Sequence, residues 1–304
     1  MLAQGWIHPV RCFAPALILC AAVAGCKLPG TEGPVSQSLL TSRHYTQQGV
    51  AAMEKSEWDQ AEAMCGRAVQ ACPADADARR QFAEALWHRG SHAEAIAQME
   101  QAVRSAKDDP AMHVRLAQMR LATGATQAAR AEAEQAIDLD PKSAVAWSTR
   151  AQVMRVSGDP HQALADYRRA LGYTPDDRQI LLEIAELYRT LNQPQRALAS
   201  LQALAETYSP GEEPQQVFDL LGLAYLALNR NEDAVESLSA AVLRGPPQAE
   251  LLAHLAEAQR RVGRTTEAAA AAQEALALEP GHRASQELLD RLQTARQGAP
   301  PLLR

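Results

Sequence analysis

Residues 215–248 read QQVFDLLGLAYLALNRNEDAVESLSAAVLRGPPQ, and their pattern decides the fold. Phe218, Leu221, Gly222 and Tyr225 recur at spacings of three and four, which sets one face of a helix. Asn229 then supplies a residue type that tolerates a left-handed helix end. Ala234, Leu238 and Ala241 form the face of a second helix, and Pro246 stops it. Read outward, the same 34-residue frame opens at 42, 76, 110, 144 and 178, then, after a three-residue insertion, at 215 and 249. Position 20 is alanine in all seven copies: Ala61, Ala95, Ala129, Ala163, Ala197, Ala234 and Ala268. Position 8 holds only Gly or Ala, and position 27 is Ala in every copy except for Leu204. Such columns predict two helices whose backbones approach closely, with large side chains filling the holes beside them. Position 15 carries Gly90, Gly124, Gly158, Asn192, Asn229 and Gly263. Ser56 departs from that set, and a slightly different turn is expected there.

Composition agrees with this reading. The 304 residues include 61 alanines, are 47% hydrophobic and only 4% aromatic, and carry a formal charge of −6. A chain so rich in alanine and leucine favours helix, and its apolar content is too high for disorder. The acidic balance excludes a nucleic-acid binder driven by phosphate neutralisation. A repeat array also escapes the expectation that a chain of this length divides into two globular domains.

These residues resemble the tetratricopeptide repeat (TPR), over residues 42 to about 282. The resemblance implies an all-α, right-handed α-solenoid of about seven helix-turn-helix repeats, at 42–75, 76–109, 110–143, 144–177, 178–211, 215–248 and 249–282. A last stretch, 283–297, with Leu288, Leu289, Leu292 and Ala295 on one side, reads as a capping helix, and 298–304 as a tail. In this family the first helix of each pair lines a concave face. That places Glu84, Trp87, Gln118, Leu121, Gln152, Arg155, Glu186, Arg189, Leu223, Leu226, Glu257 and Arg260 in a groove for a protein or peptide partner. Trp87 is either an aromatic anchor there or packing between repeats. Arg and Glu in the groove either meet a partner or pair with one another. The lysine and asparagine clamp by which some members grip a terminal carboxylate is absent, since positions 2, 5, 6 and 9 of the first two copies hold no Asn.

The N-terminus carries a second message. Arg11 is the only charged residue before Cys26, and an apolar run of twelve, Phe13–Ala24, follows it. That run is shorter than the roughly 20 residues a membrane span needs, and suits a secretory signal over 1–25. Val23-Ala24-Gly25-Cys26 resembles the bacterial lipobox, which implies cleavage after Gly25 and lipid on Cys26. Acyl chains at about 0.8 kcal/mol per buried methylene hold a protein on a membrane. Residues 26–41, with two prolines and two glycines, read as a flexible tether. Lys27 is not the aspartate that favours inner-membrane retention, so the outer membrane facing the periplasm is expected.

No catalytic constellation accompanies these features. Cys65 and Cys72 stand seven residues apart on one predicted helix, about 10 Å and too far for a disulfide. Cys65 falls at a core position. His88 and His92 flank a helix end and have no third ligand placed by sequence. Neither a cofactor nor a metal is expected. The function that follows is a non-enzymatic TPR scaffold or adaptor lipoprotein at the bacterial cell envelope, in a pilus, outer-membrane or cell-wall assembly role. The alternatives are a soluble secreted or periplasmic binding module without lipid, and a hydrolase or metalloenzyme. The partner's identity and the oligomeric state are not written in these residues.

Overall fold

The computed structural model describes residues 34–297, which form fifteen α-helices and no strand. They come as consecutive pairs: α1 (Pro34–Glu54) with α2 (Trp58–Ala71), α3 (Ala76–His88) with α4 (His92–Ser105), and α5 (Pro110–Ala122) with α6 (Thr126–Leu139). Next are α7 (Ala144–Val156) with α8 (Pro160–Leu171), and α9 (Arg178–Thr190) with α10 (Pro194–Glu206). The last pairs are α11 (Gln215–Ala227) with α12 (Asn231–Arg244) and α13 (Ala249–Arg261) with α14 (Thr265–Leu278), and α15 (Arg283–Gln297) closes the array. Each helix packs on the next in sequence, and α15 packs on both α13 and α14. No single core results. Burial is spread over successive interfaces between neighbours.

The alanine columns form the spine. All seven alanines at position 20 are buried, none more than 2% exposed. Position 8 shows why large side chains are excluded there. A Cβ on Gly49 would meet Cys65 Sγ at 2.3 Å, and one on Gly222 would meet Leu238 Cγ at 2.4 Å. Cys65 and Leu238 both stand at position 24, so positions 8 and 24 of a pair share one volume.

Local signals start and stop the helices. Asp75, Asp109, Ser143, Asp159 and Asp177 each cap a helix by accepting backbone N–H groups of its first turn. Pro110, Pro160 and Pro194 occupy first turns, where a missing N–H costs nothing. The turn inside each pair is the same in every copy. Position 15 has positive φ in all seven, including Ser56 at 60°. The different turn expected at Ser56 is therefore not found. Its N–H donates to Met53 O at 2.8 Å and the next N–H to Ala52 O at 2.9 Å, the pattern Gly90 and Ser91 make with Trp87 and Leu86. Close packing of α1 on α2 imposes the turn despite the left-handed penalty on serine.

The tether is shorter than its composition suggests. A helix-free stretch is expected over 26–41, but α1 already begins at Pro34. Proline is at home in a first turn, and the residues after it are ordinary helix formers. The signal 1–25 with Gly25, Cys26 and the rest of the tether, and the tail 298–304 lie outside the described residues. In the cap, Leu288 and Leu292 are buried against Ala256, Ala268 and Ala272.

A candidate partner-binding trough

First helices of neighbouring pairs touch directly, α1 on α3, α5 on α7, α11 on α13 and α13 on α15. Second helices show no comparable packing on one another among the described residues. Rows that crowd on one side and splay on the other curve the array, so the trough belongs to the first helices.

Along it, the residues chosen from sequence separate into three groups. Glu84, Trp87 and Gln118 are tied into the wall. Arg115 on α5 grips Glu84 on α3 through two hydrogen bonds of 2.6 Å, and its guanidinium lies 5.9 Å from the Trp87 ring. Trp87 also packs on His92, with centroids 4.2 Å apart, so this tryptophan braces two repeats. Gln118 reaches Thr149 at 3.5 Å. Glu257 is held by both Arg260 and Arg261, and the Arg260 hydrogen bond leads in lowering its pKa to about 2.

Leu226 forms the second group, by correction. It is 7% exposed and packs with Val235, Leu238, Leu251 and Leu255 between the sixth and seventh repeats. Position 12 on α11 is apolar, and the neighbouring repeat simply covers it.

The third group offers a surface. Arg155 and Arg189 are about half exposed and only loosely paired, to Glu183 at 3.4 Å and Glu186 at 3.7 Å. Glu186, Arg189 and Leu223 meet at an apolar opening between α9, α10 and α11, whose walls include Ala185, Leu201, Leu220 and Ala224. Gln152 and Leu121 lie half-buried between these groups.

Sequence reading took position 6 into account only in the first two copies and left it out of the groove in the other five. Arg115, Thr149, Glu183, Leu220 and His254 stand there, and each except Leu220 bonds to a residue of an adjacent first helix. The signal was available: positions 6 and 9 are three apart and share one helical face. Beneath Arg155 and Glu183 lies Tyr167, 1% exposed, whose buried hydroxyl is turned towards those two side chains. Burial, then the charge of Glu183, pushes its phenol well above the usual range.

Among the described residues no group of His, Cys, Asp and Glu side chains could hold a metal ion. His88 stacks on Trp58 at 4.1 Å and His92 packs on Trp87, so the two histidines are spent on separate aromatic contacts. Cys65 is fully buried, and burial pushes its thiol up to about 11.

Tetratricopeptide repeat profiles match residues 52–119 and 86–153, and a second such profile matches 149–212 and 220–283. No curated protein matches the chain in sequence. Among solved structures, PilW, a widely conserved type IV pilus biogenesis factor, superimposes with a TM-score of 0.60 at 19% identity, covering 70% of this chain and 98% of its own. PilF of Pseudomonas aeruginosa gives 0.56 at 16% identity, over 84% and 99% of the two chains. YrrB, a TPR protein with an unusual peptide-binding site, gives 0.56 at 18% identity, over 62% and 96%. At these identities the likeness is one of fold. With the matched segments extending over 52–212 and 220–283, and the helix pairs stacked as described, the chain belongs to the tetratricopeptide repeat family.

Proposed function

We propose that this protein is a non-enzymatic scaffold lipoprotein of the bacterial cell envelope, lipid-anchored through Cys26, whose trough holds an extended or helical segment of a partner protein. One observation carries the binding half: Glu186, Arg189 and Leu223, chosen as partner-facing from sequence, converge on one apolar opening with exposed charge at its rim. Such a site takes an apolar side chain while the rim orients polar groups around it. The fold likeness to PilW and PilF supports an assembly role of pilus type, and the likeness to YrrB, with its unusual peptide-binding site, supports a peptide ligand. The signal-like run and Val23-Ala24-Gly25-Cys26 support the anchor.

The test places a photo-crosslinking residue at Leu223, or at Leu243 on α12, which is 86% exposed. In intact cells Leu223 should give discrete adducts that Arg189→Glu abolishes, and Leu243 should give none. Equal capture from both positions refutes the trough as the binding face. The anchor is judged separately, by a fatty-acid analogue that labels the wild type and not Cys26→Ser. An unlabelled wild type removes the lipoprotein half alone.

A further inference from the structure

Two histidines, two carboxylates and a serine form one continuous chain at the C-terminal end of the trough. His254 on α13 has Nδ1 2.8 Å from Asp219 Oδ1 on α11 and Nε2 3.2 Å from Glu250 Oε1, one turn back on its own helix. The other oxygen of Glu250 lies 2.9 Å from Nε2 of His282, the residue just before α15. His282 Nδ1 lies 2.9 Å from Ser285 Oγ in the first turn of α15, and both residues are buried. The chain therefore links the sixth repeat, the seventh repeat and the cap.

Counting protons separates the two rings. A neutral imidazole has one N–H and one lone pair, and an ionised carboxylate only accepts. His254 faces a carboxylate oxygen at each nitrogen, so a neutral ring sets a lone pair against one of them. Only the imidazolium donates to Asp219 from Nδ1 while setting a positive N–H, rather than a lone pair, against Glu250 at Nε2. His282 is different: Nε2 donates to Glu250 while Nδ1 can accept from the Ser285 hydroxyl, so a neutral ring satisfies both partners.

We propose that His254 is a proton-operated clasp, whose imidazolium joins α11 to α13 and holds Glu250 in place to secure α15, and whose deprotonation loosens the end of the array. The groups facing it are Asp219 from α11, Glu250 from α13 and, beyond Glu250, His282 from the segment entering α15. Glu257, the next acid along α13, is engaged by Arg260 and Arg261 instead. Burial opposes the charged ring, but the hydrogen bond and charge of Asp219, reinforced by Glu250, outweigh it and hold the His254 pKa above its ordinary value. The His282 hydrogen bond, against desolvation and with His254 adding its charge, holds Glu250 below the usual carboxylate range.

The signs follow from linkage. A raised histidine contributes stability that is complete below its unfolded pKa of about 6.5 and is lost as pH rises through the folded value. A depressed carboxylate contributes stability that is present above its unfolded pKa of about 4.3 and is lost as pH falls through the folded value. The clasp is thus closed in weak acid and opens with alkali. Because terminal repeats have one neighbour, opening reads out locally, as fraying of α13–α15.

Amide exchange of the full chain, corrected for the intrinsic pH dependence, tests this from pH 5.5 to 9. Protection of residues 283–294 should fall with rising pH relative to α5 and α6. His254→Gln should lose that dependence and show about tenfold less protection at pH 6, the size of one charge-assisted hydrogen bond. His282→Gln should lower protection at every pH yet keep the slope. The same slope in wild type and His254→Gln overturns the proposal. If His254→Gln frays the end completely, the ring titration of His254 in the wild type decides. A midpoint above that of a free histidine sustains the clasp, and one at or below it overturns the clasp.

Discussion

Replacing Gly222 by alanine puts one methyl into one of the two tightest contacts that a glycine makes in the array. The new Cβ would stand 2.4 Å from Leu238 Cγ and 2.8 Å from its Cδ2. Leu238 is fully buried, with Leu226, Val235 and Phe218 in the same cluster, and cannot swing into solvent. An extra methyl in a close-packed core costs about 1–3 kcal/mol, and alanine regains about 1 kcal/mol of helix propensity over glycine. A 2.4 Å approach to a branch carbon puts the cost in the upper part of that range, about 2–3 kcal/mol, so the net expectation is a loss of about 1–2 kcal/mol, confined to the sixth repeat. The fifth copy carries Ala185 opposite Leu201, both buried, so leucine can face alanine where the pair has settled together. The cost in the sixth copy is one of reorganisation around the branch point of Leu238. Leu238→Ala alone leaves a cavity and costs about 2–5 kcal/mol. The double variant recreates the seventh copy, where Ala256 and Ala272 are both fully buried, and should cost less than the sum by about 1–2 kcal/mol. Repeat arrays need not unfold in two states, so the cycle is read from amide exchange of α11 and α12 beside the global denaturation curve. A neutral or stabilising Gly222→Ala, or strict additivity in the double variant, refutes the shared-volume argument.

Three further expectations rest on single contacts. Ser56→Gly relieves a left-handed serine and should raise stability by about 1 kcal/mol on thermal or urea denaturation, whereas Gly90→Ala should lower it by a similar amount. Asp166, 2% exposed, accepts Arg150 at 2.8 and 2.7 Å, so Asp166→Asn should destabilise the fourth repeat by about 3 kcal/mol in chemical denaturation, because it strands a half-buried guanidinium. Of the two thiols Cys65 and Cys72, only Cys72 should react with a maleimide under native conditions. Cys65 is fully buried with a raised pKa and should react only on unfolding, with mass spectrometry of the labelled peptides as the check.

The spine was legible because it repeats. Every position-20 alanine is buried at the same place in its pair, so the same constraint is written seven times, and periodicity separates it from a background rich in alanine. Ser56 escaped because a turn can be imposed by packing from both sides, which its residue type alone does not show. The start of α1 escaped because Pro34 reads as a breaker, although proline at a first turn begins a helix. Leu226 was misplaced for a tertiary reason. Its position faces the trough in the polar copies, but beside Leu251 and Leu255 an apolar side chain gains more from burial. Spacing could have placed the position-6 row on the face of position 9, but not its bonds, which run to residues roughly 30 positions away, as Arg115 to Glu84 and His254 to Asp219 do. Local spacing cannot announce such pairs.

Repetition also argues where partner recognition should sit. A column wedged between helix backbones is held to one residue size, while a column that faces the trough has no such steric reason to repeat. Positions 6, 9 and 12 are the varied ones, running from Arg115 and Gln118 through Glu183 and Glu186 to Leu220 and Leu223. The change from polar to apolar falls between the fifth and sixth pairs, across the link 207–214, the longest between pairs among the described residues. There the packing leaves an apolar opening rimmed by Glu186 and Arg189, whereas Glu84 and Glu257 nearer the two ends of the trough are held in tight ion pairs. A break in the period, an apolar opening at which Leu220 and Leu223 stay half-buried and a loosely paired arginine coincide at one place. Their coincidence favours this junction over any other stretch of the trough as the seat of binding.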